Sequence, residues 1–358
     1  MKNIYFTPGP SELYFTVPDH IKQAIKNDIL SISHRSKTFE KIYSKTVENL
    51  RALLGIPEEF TILFTHSSTE TMEKIMLNLV NSYSFHIVNG PFANRFFQVA
   101  NQMGKQSKKL EIASHQSPNL KKLLVSDSFD LITITQNETS SGLAYPLDEI
   151  YQIKAAFPEK LLVVDAASAL PYVNFDYSQI DSLFFSVQYG FGLPAGLAVW
   201  LVNQNCIEKT QANIKNDKIA HSYHSLDRFY LKALKNQTPE TPNILGIYLL
   251  SKVTEDMLLK GIDQIRRETD YKAALLYHTL ENHPKLNCFV KEKKYRSKTI
   301  ITAETVMPSN EIISTFAKKG MILGAGYDKY KFKHIRIGNY PAHSKEQIEI
   351  LTDYLNTW

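Results

Sequence analysis

Polar side chains follow several apolar runs of this sequence, at positions where a parallel sheet would gather them. Residues 65–70 read Thr-His-Ser-Ser-Thr-Glu after one run, residues 137–142 read Asn-Glu-Thr-Ser-Ser-Gly after another, and Asp165 ends the run Leu-Leu-Val-Val-Asp. Ligands of open parallel sheets bind beyond the carboxyl ends of the strands. We therefore expect the chemistry of the protein at these three places.

The first of these segments has the spacing of a capped helix start, because Ser67 is followed three residues later by Glu70. The free amides of Ser68, Thr69 and Glu70 would point out of the helix and could bind a phosphate group. An ordinary capped helix explains the same residues. Asp165 also has two interpretations: it holds a ligand's ring nitrogen protonated, or it caps the following turn.

The elements that would position these residues alternate between short apolar runs and helical patterns, which predicts a mostly parallel sheet covered by helices. The predicted helices include Thr69–Val80 and Phe92–Met103, and two more helical stretches between Asn243 and His283 are broken near Gly261. The predicted strands are Thr61–Thr65, Phe85–Asn89, Leu131–Thr135, Leu161–Asp165, Ser182–Val187 and Leu197–Val202.

The sequence after Pro284 has the pattern of a small α+β unit. Its predicted strands are Cys288–Glu292, Thr299–Ala303 and His334–Ile337, and its predicted helices are Ser309–Lys319 and Ser344–Thr357. The expected fold class is therefore α/β, with a large, mostly parallel sheet and a small C-terminal α+β domain. We place the large domain with the N-terminal segment at 1–255, and the connecting helix with the small domain at 256–358.

The composition narrows the classes of function. The 358 residues are 43% hydrophobic and 22% charged, which is typical of a folded globular chain and excludes a disordered or collagen-like one. Lys and Arg number 41 against 36 Asp and Glu, and this small excess is spread along the chain. It does not indicate a nucleic-acid partner, although it suits small anions.

The cysteines and the N-terminal segment indicate the cellular compartment of the protein. Cys206 and Cys288 are far apart, so neither a disulfide framework nor a cysteine-rich zinc site is expected. Pro8, Gly9 and Pro10 interrupt the segment where a signal peptide needs an unbroken apolar stretch, and no apolar run is long enough to span a membrane. A cytoplasmic protein without a membrane partner is expected.

A resemblance becomes specific when these segments are taken in order, since they resemble the class V, fold-type I family of pyridoxal-phosphate (PLP) aminotransferases over essentially the whole chain. The element Ser33-His34-Arg35 is most similar to phosphoserine aminotransferases. The other matching pieces are Thr7-Pro8-Gly9-Pro10, Gly90-Pro91-Phe92, Asn137-Glu138-Thr139, Asp165, Gln188 to Gly196, Gln237-Thr238-Pro239 and Arg336-Ile337-Gly338.

The resemblance implies PLP as the cofactor and gives roles to residues that would hold its ring. Asp165 would pair with the pyridinium nitrogen, which keeps the ring an electron sink. Phe92 would stack on the ring, in place of a tryptophan of some relatives. Thr139 and Gln188 would form hydrogen bonds with cofactor oxygens.

The resemblance also implies how the phosphate is held and how the chain assembles. Ser68, Thr69 and Glu70 would contact the phosphate, although relatives often have glycine in this turn. Gln237 and Thr238 would reach the phosphate of the neighbouring subunit's cofactor. The active unit would then be a homodimer with two shared sites.

Three cationic side chains would bind the substrates, which the resemblance implies to be amino acids and 2-oxo acids. Arg336 would hold the α-carboxylate, because its planar fork suits a carboxylate. His34 and Arg35 would face a distal carboxylate or phosphate. His66 and the other histidines have no metal-ligand spacing, so no metal is assigned.

The main departure from the family is at Tyr189, because family members have their Schiff-base lysine directly after the glutamine. Position 189 is counted here as the catalytic position, and no lysine occurs between Lys160 and Lys209. A phenol cannot form an imine and is a poor base at neutral pH. Three origins are open for Tyr189: a natural homologue that lost transamination, a deliberate substitution, or a modified lysine transcribed wrongly.

The alternative functions are of two kinds. One is a serine–glyoxylate or serine–pyruvate type aminotransferase, and the other is a catalytically silent homologue that binds PLP or an amino acid.

Overall fold

The computed structural model describes residues 3–81, 83–112, 129–219 and 221–358, where two main sheets are surrounded by helices. The strands are β1 (Ile4–Phe6), β2 (Thr61–Thr65), β3 (Tyr83–Val88), β4 (Gln106–Glu111), β5 (Leu131–Thr135), β6 (Asn137–Glu138), β7 (Leu143–Ala144), β8 (Leu161–Asp165), β9 (Ser182–Ser186), β10 (Ala198–Val202), β11 (Leu286–Cys288), β12 (Ile300–Thr305), β13 (Met321–Ala325) and β14 (His334–Gly338). The helices are α1 (Val17–Lys26), α2 (Lys37–Leu54), α3 (Ser68–Leu79), α4 (Pro91–Gln102), α5 (Leu147–Ala156), α6 (Gln204–Lys215), α7 (Leu226–Ala233), α8 (Ile244–Lys260), α9 (Ile262–Glu281), α10 (Ser309–Ala317) and α11 (Lys345–Thr357).

The larger sheet has the strand order β2-β10-β9-β8-β5-β3-β4 within the described ranges. All of its strands run parallel except β10, which is antiparallel to both neighbours. Strands β5, β8 and β9 are buried along their whole length, because helices cover both faces of the sheet. The predicted mostly parallel sheet is confirmed, and the carboxyl ends of β5, β8 and β9 meet at one edge.

The smaller sheet has the order β1-β13-β14-β12-β11 and packs against α9, α10 and α11. Its strands are antiparallel except for β1 and β13, which pair in parallel. The α/β fold class with a smaller α+β unit is thereby confirmed. Strand β1 shows that the N-terminal segment also joins this sheet, and the division between residues 255 and 256, which falls inside α8, stays a prediction.

Several element bounds differ from the sequence-based prediction. The predicted range of one strand, Cys288–Glu292, is wrong. Strand β11 ends at Cys288, and the chain then bends into the short 3-10 helix Lys293–Tyr295. Strands β4 and β13 were not predicted. The predicted break at Gly261 is confirmed, since this residue lies between α8 and α9 with a φ of 86° that favours glycine. Among the described helices, none combines the length and apolarity needed to cross a membrane.

Candidate active site

Two buried carboxylates lie at the edge of the larger sheet where β8 and β5 end. Asp165, the last residue of β8, is 2% exposed, and its Oδ1 accepts a hydrogen bond from the Ala167 amide at 2.9 Å. Burial raises the pKa of Asp165 to about 7, and the nearby Glu138 adds to the rise, although the Ala167 amide opposes it. Burial also raises the pKa of Glu138.

An unsatisfied polar group points to a ligand at the same edge. The Gln188 side-chain oxygen, two residues beyond β9, is buried and has no hydrogen-bond partner among the described residues. Buried polar atoms are nearly always paired, and a buried carboxylate is stabilised by a neighbouring positive charge. Asp165 and Gln188 therefore fit a polar ligand with a protonated ring nitrogen.

Glu138 determines how α4 begins beside this ligand site. Its Oε2 accepts hydrogen bonds from the amides of Phe92 at 3.1 Å and Ala93 at 3.2 Å, and its Oε1 accepts from the Ser140 hydroxyl at 2.6 Å. Phe92 is thereby fixed close to the strand edge. The sequence motif around Asn137 contained Glu138, but no role for it was predicted, because α4 lies far from it in sequence.

An aromatic and cationic cluster surrounds Phe92. The Phe92 and Tyr327 rings pack with centroids 5.0 Å apart, and the Arg95 guanidinium lies 5.4 Å from the Phe92 centroid. The Arg95 Nη2 group donates a hydrogen bond to the Tyr327 hydroxyl at 3.0 Å. Sequence reasoning did not single out Arg95 or Tyr327. Arg95 sits one helical turn after Phe92, which was a usable signal.

Arg336 reaches the same cluster from the smaller sheet. On β14, it donates from Nε to the Ala325 carbonyl at 2.7 Å and from Nη1 to the Thr139 carbonyl at 3.0 Å. Its guanidinium lies 5.7 Å from the Tyr327 ring centroid. The Thr139 hydroxyl contacts the Ser168 hydroxyl at 2.8 Å. The predicted residues Arg336 and Thr139 are therefore brought together where the two sheets meet.

Tyr189 packs beneath the N-terminal loop. A Cβ on Gly9 would lie 2.1 Å from Tyr189 Cε1, so only glycine allows this approach. The Tyr189 ring also contacts the Tyr340 ring, with centroids 6.3 Å apart. Burial and the charge of Asp165 raise the pKa of the Tyr189 phenol to about 12, although Arg336 and Arg95 partly oppose this rise. The phenol is neutral at physiological pH.

The start of α3 lies at the same sheet edge. The Ser67 hydroxyl accepts a hydrogen bond from the Glu70 amide at 3.1 Å, which is the predicted cap. The Ser68 hydroxyl contacts the hydroxyl of Ser186, the last residue of β9, at 2.6 Å. The amides of a first helical turn, here including Thr69, have no partner within the helix and can bind an anion.

The remaining predicted residues form a separate cluster, which we call the Arg35 cluster and which comprises His34, Arg35, Gln237, Thr238 and Pro239. Arg35 donates to the Gln237 side-chain oxygen at 3.0 Å and to the carbonyls of Thr238 at 2.7 Å and Pro239 at 2.9 Å. Partial burial and the charge of Arg35 lower the pKa of His34. Within the described residues, no hydrogen bond joins this cluster to Asp165 or Arg336.

One group of potential metal ligands combines His66, Glu70 and Glu240, whose ligand atoms lie within 4.8 Å of one another. Glu70 already accepts a hydrogen bond from the His66 amide at 2.6 Å and pairs with Lys74 at 3.0 Å. These contacts account for the Glu70 charge, so no metal is assigned to the group.

Comparison with known proteins places this geometry in a family. A family model for class-V aminotransferases matches residues 5–351. A phosphoserine aminotransferase of Cytophaga hutchinsonii has a similar structure, with a TM-score of 0.96, 44% identity, and coverage of 99% of this chain and 98% of that one. A phosphoserine aminotransferase of Leuconostoc mesenteroides is 27% identical over 372 residues, covering 99% of this chain and 98% of the other. An aspartate aminotransferase of Thermus thermophilus shares the fold, with a TM-score of 0.86, 21% identity, and coverage of 99% of this chain and 98% of that one. The chain belongs to the class-V aminotransferases, the fold-type I transaminases that work with pyridoxal phosphate.

Proposed function

We propose that this protein transfers an amino group between phosphoserine or glutamate and 2-oxo acids, with pyridoxal phosphate as its cofactor. The observation that carries the proposal is the 44% identity, over nearly the whole chain, with a phosphoserine aminotransferase. The buried Asp165 and the Arg336 fork supply chemistry that suits such a reaction. We assign the protein to serine biosynthesis because phosphoserine is one of the proposed donors. The two cysteines of the protein are free and buried, which suits the reducing cytoplasm.

The residues at the sheet edge are assigned to the cofactor. Pyridoxal phosphate, when bound, supplies an aldehyde carbon that can take an amino group and a ring that withdraws electrons. Asp165 offers its carboxylate to the ring nitrogen, and Phe92 presents its ring beside it. Thr139 and Gln188 offer polar atoms to the ring substituents. The first turn of α3, with Ser68, Thr69 and Glu70, faces the phosphate.

The substrate anions are assigned to the arginines. Arg336 binds the α-carboxylate, and its bonds to the carbonyls of Ala325 and Thr139 fix the direction of its fork. His34 and Arg35 of the neighbouring subunit face the distal carboxylate or phosphate. Three N–H groups of Arg35 already bind its own chain, which leaves two of the five guanidinium N–H groups for a ligand.

Tyr189 supports a second candidate, a homologue that binds PLP or amino acids without turnover. We assign Tyr189 to the position of the family lysine because it follows Gln188 and lies near Asp165 and Arg336. A phenol with a pKa of about 12 cannot readily accept the proton from the substrate α-carbon. We therefore expect slow amino transfer in this exact chain.

A donor and acceptor panel tests the proposal. The purified protein with PLP is incubated with phosphoserine, glutamate, serine or alanine and with 2-oxoglutarate, glyoxylate or pyruvate, and the products are measured by mass spectrometry. Slow turnover that prefers phosphoserine and glutamate is the expected result. A preference for serine with glyoxylate or pyruvate would support the alternative aminotransferases. Absence of turnover, even after lysine replaces Tyr189, would support the silent homologue.

We also propose that the chain is a homodimer in which Gln237 and Thr238 contact the partner's cofactor phosphate. Exposed apolar side chains support an interface beside this loop: Leu231 on α7 is 56% exposed, and Leu234 and Tyr223 are exposed as well. Leu231 and Tyr223 line a surface groove together with Pro239 of the Arg35 cluster. Exposed apolar groups next to a polar loop are typical of a protein interface.

Leu231→Asp is expected to convert the dimer to a monomer and to weaken PLP binding, because it places a charge in the apolar interface. Size-exclusion chromatography with light scattering gives the mass, and a fluorescence titration gives the PLP affinity. The matched control is Leu259→Asp on α8, where Leu259 is 85% exposed, and it should change neither quantity. A monomer that binds PLP as tightly as the wild type would rule out the shared site.

A further inference from the structure

Arg95 is a partly buried cation whose guanidinium faces the Phe92 ring and has no carboxylate partner among the described residues. It makes no ion pair within the described part of the chain, and its Nη2 group donates a hydrogen bond to the Tyr327 hydroxyl. Arg95, Asn94 and Ser140 line an open cavity of about 800 Å³, with Tyr327 in the same wall. Asp165, Tyr189 and Arg336 do not line this cavity, so it adjoins the assigned site without being part of it.

Tyr327 connects Arg95 with Arg336. The Arg336 guanidinium lies 5.7 Å from the Tyr327 ring centroid, and the Tyr327 hydroxyl accepts the hydrogen bond from Arg95 at 3.0 Å. Both arginines are close enough to Tyr189 to lower the pKa of its phenol. The two guanidinium groups therefore lie around Tyr327, an arrangement that suits an extended molecule with an anion at each end.

We propose that Arg95 adds a second contact to the distal carboxylate or phosphate that His34 and Arg35 of the neighbouring subunit also face, in an acidic substrate whose α-carboxylate is bound by Arg336. Arg95 thus contributes to substrate specificity from the same chain that carries Arg336, and Tyr327 is the positioning residue that directs its guanidinium. This inference rests on the proposed function for the identity of the substrate, but ligand binding can test it without turnover.

The test is calorimetric titration of the full chain in buffer with saturating PLP. Butyrate has one carboxylate, glutarate has two, and 4-phosphonobutyrate has a carboxylate and a phosphonate. Arg95→Gln is expected to weaken glutarate and 4-phosphonobutyrate about 10- to 100-fold and butyrate less than about 2-fold, because only the distal anion loses a charge-assisted hydrogen bond. A loss for glutarate alone would assign a carboxylate, and a loss for 4-phosphonobutyrate alone would assign a phosphate.

Three further variants separate recognition from structural effects. Arg95→Lys keeps the charge without the planar fork and should weaken glutarate and 4-phosphonobutyrate by an intermediate amount. This variant also tests the inference if Arg95→Gln folds poorly. Tyr327→Phe removes only the hydroxyl and should weaken glutarate about 3-fold. Lys329→Gln removes another cation of the cavity wall and should have no effect.

Unchanged binding of both glutarate and 4-phosphonobutyrate in both Arg95 variants, or equal losses for all three probes, would overturn the inference. The two failures are distinguishable. A wild-type protein that shows no amino transfer but binds glutarate through Arg95 contradicts only the proposed function. A protein that transfers the amino group of glutamate and is indifferent to Arg95 contradicts only this inference.

Discussion

Tyr189→Lys is expected to raise the rate of amino transfer about 100- to 10,000-fold, the range for restoring a positioned base. The lysine amine can bond to the cofactor's aldehyde carbon and can carry the substrate α-proton, whereas the tyrosine phenol, with a pKa of about 12, does neither. The substitution also removes a ring that packs against Gly9 and Tyr340, so the amine has room.

The covalent bond is measured separately from the rate. Borohydride reduction followed by intact-mass measurement should add the mass of a phosphopyridoxyl group (PLP less the water lost on imine formation, plus the hydrogens gained on reduction) to Tyr189→Lys. It should add none to the wild type, whose own mass first verifies tyrosine at this position. Tyr189→Met is the matched control, because methionine is similar to lysine in length and lacks the amine. If Tyr189→Lys binds PLP but gains no mass on reduction, position 189 is not the family lysine position.

Asp165→Asn is expected to weaken PLP binding by about 2 to 4 kcal/mol, or roughly 30- to 700-fold in Kd, because an amide cannot balance the charge of the ring nitrogen. Asparagine keeps the shape of the side chain and can still accept the hydrogen bond from Ala167. Fluorescence titration with PLP gives the affinity. An affinity equal to that of the wild type would remove Asp165 from the cofactor site.

The same substitution should stabilise the cofactor-free protein. Burial raises the pKa of Asp165 from 3.8 to about 7, so the folded state binds the proton more tightly than the unfolded state between these values. Stability from this group is full below pH 3.8, falls as the pH rises to about 7, and is lost above it. Asp165→Asn should therefore raise the free energy of unfolding by about 2 to 4 kcal/mol at pH 8 and by less at pH 5. Urea unfolding without PLP measures it, and an equal gain at both pH values would contradict the buried charge.

Hydrophobic patterning made most strands of the larger sheet predictable. The prediction failed for the polar strand β4 at the side of the sheet. Strands such as β8 are continuous apolar runs because both faces are covered. Strand β4, Gln106–Glu111, reads Gln-Ser-Lys-Lys-Leu-Glu and lies at the sheet edge, mostly exposed, so no apolar pattern marks it. Strand β1 could not be predicted locally, since its three residues depend on pairing with β13.

Asp165 was predictable as a site residue because it is the polar last residue of an apolar strand that the sequence itself reveals. The resemblance to a family added Phe92, Thr139 and Arg336, and the structure brings these near one another. The spacing of Arg95 from Phe92 was a signal for Arg95 alone. Its contact with Tyr327 was not predictable, because residues on α4 and after β13 meet only through tertiary packing.

The pairing of β1 with β13 also bears on the order in which the chain becomes functional during synthesis. The loop that carries Gly9 over Tyr189 follows directly after β1, and β1 is anchored in parallel to residues near the C-terminal end. Domains generally fold as the ribosome releases them, from the N-terminus onwards. The larger sheet can assemble early, but this loop gains its anchoring strand only once residues 321–325 have emerged. A nascent chain halted before that point would have β8 and Asp165 formed while the loop with Gly9 was not yet anchored over Tyr189.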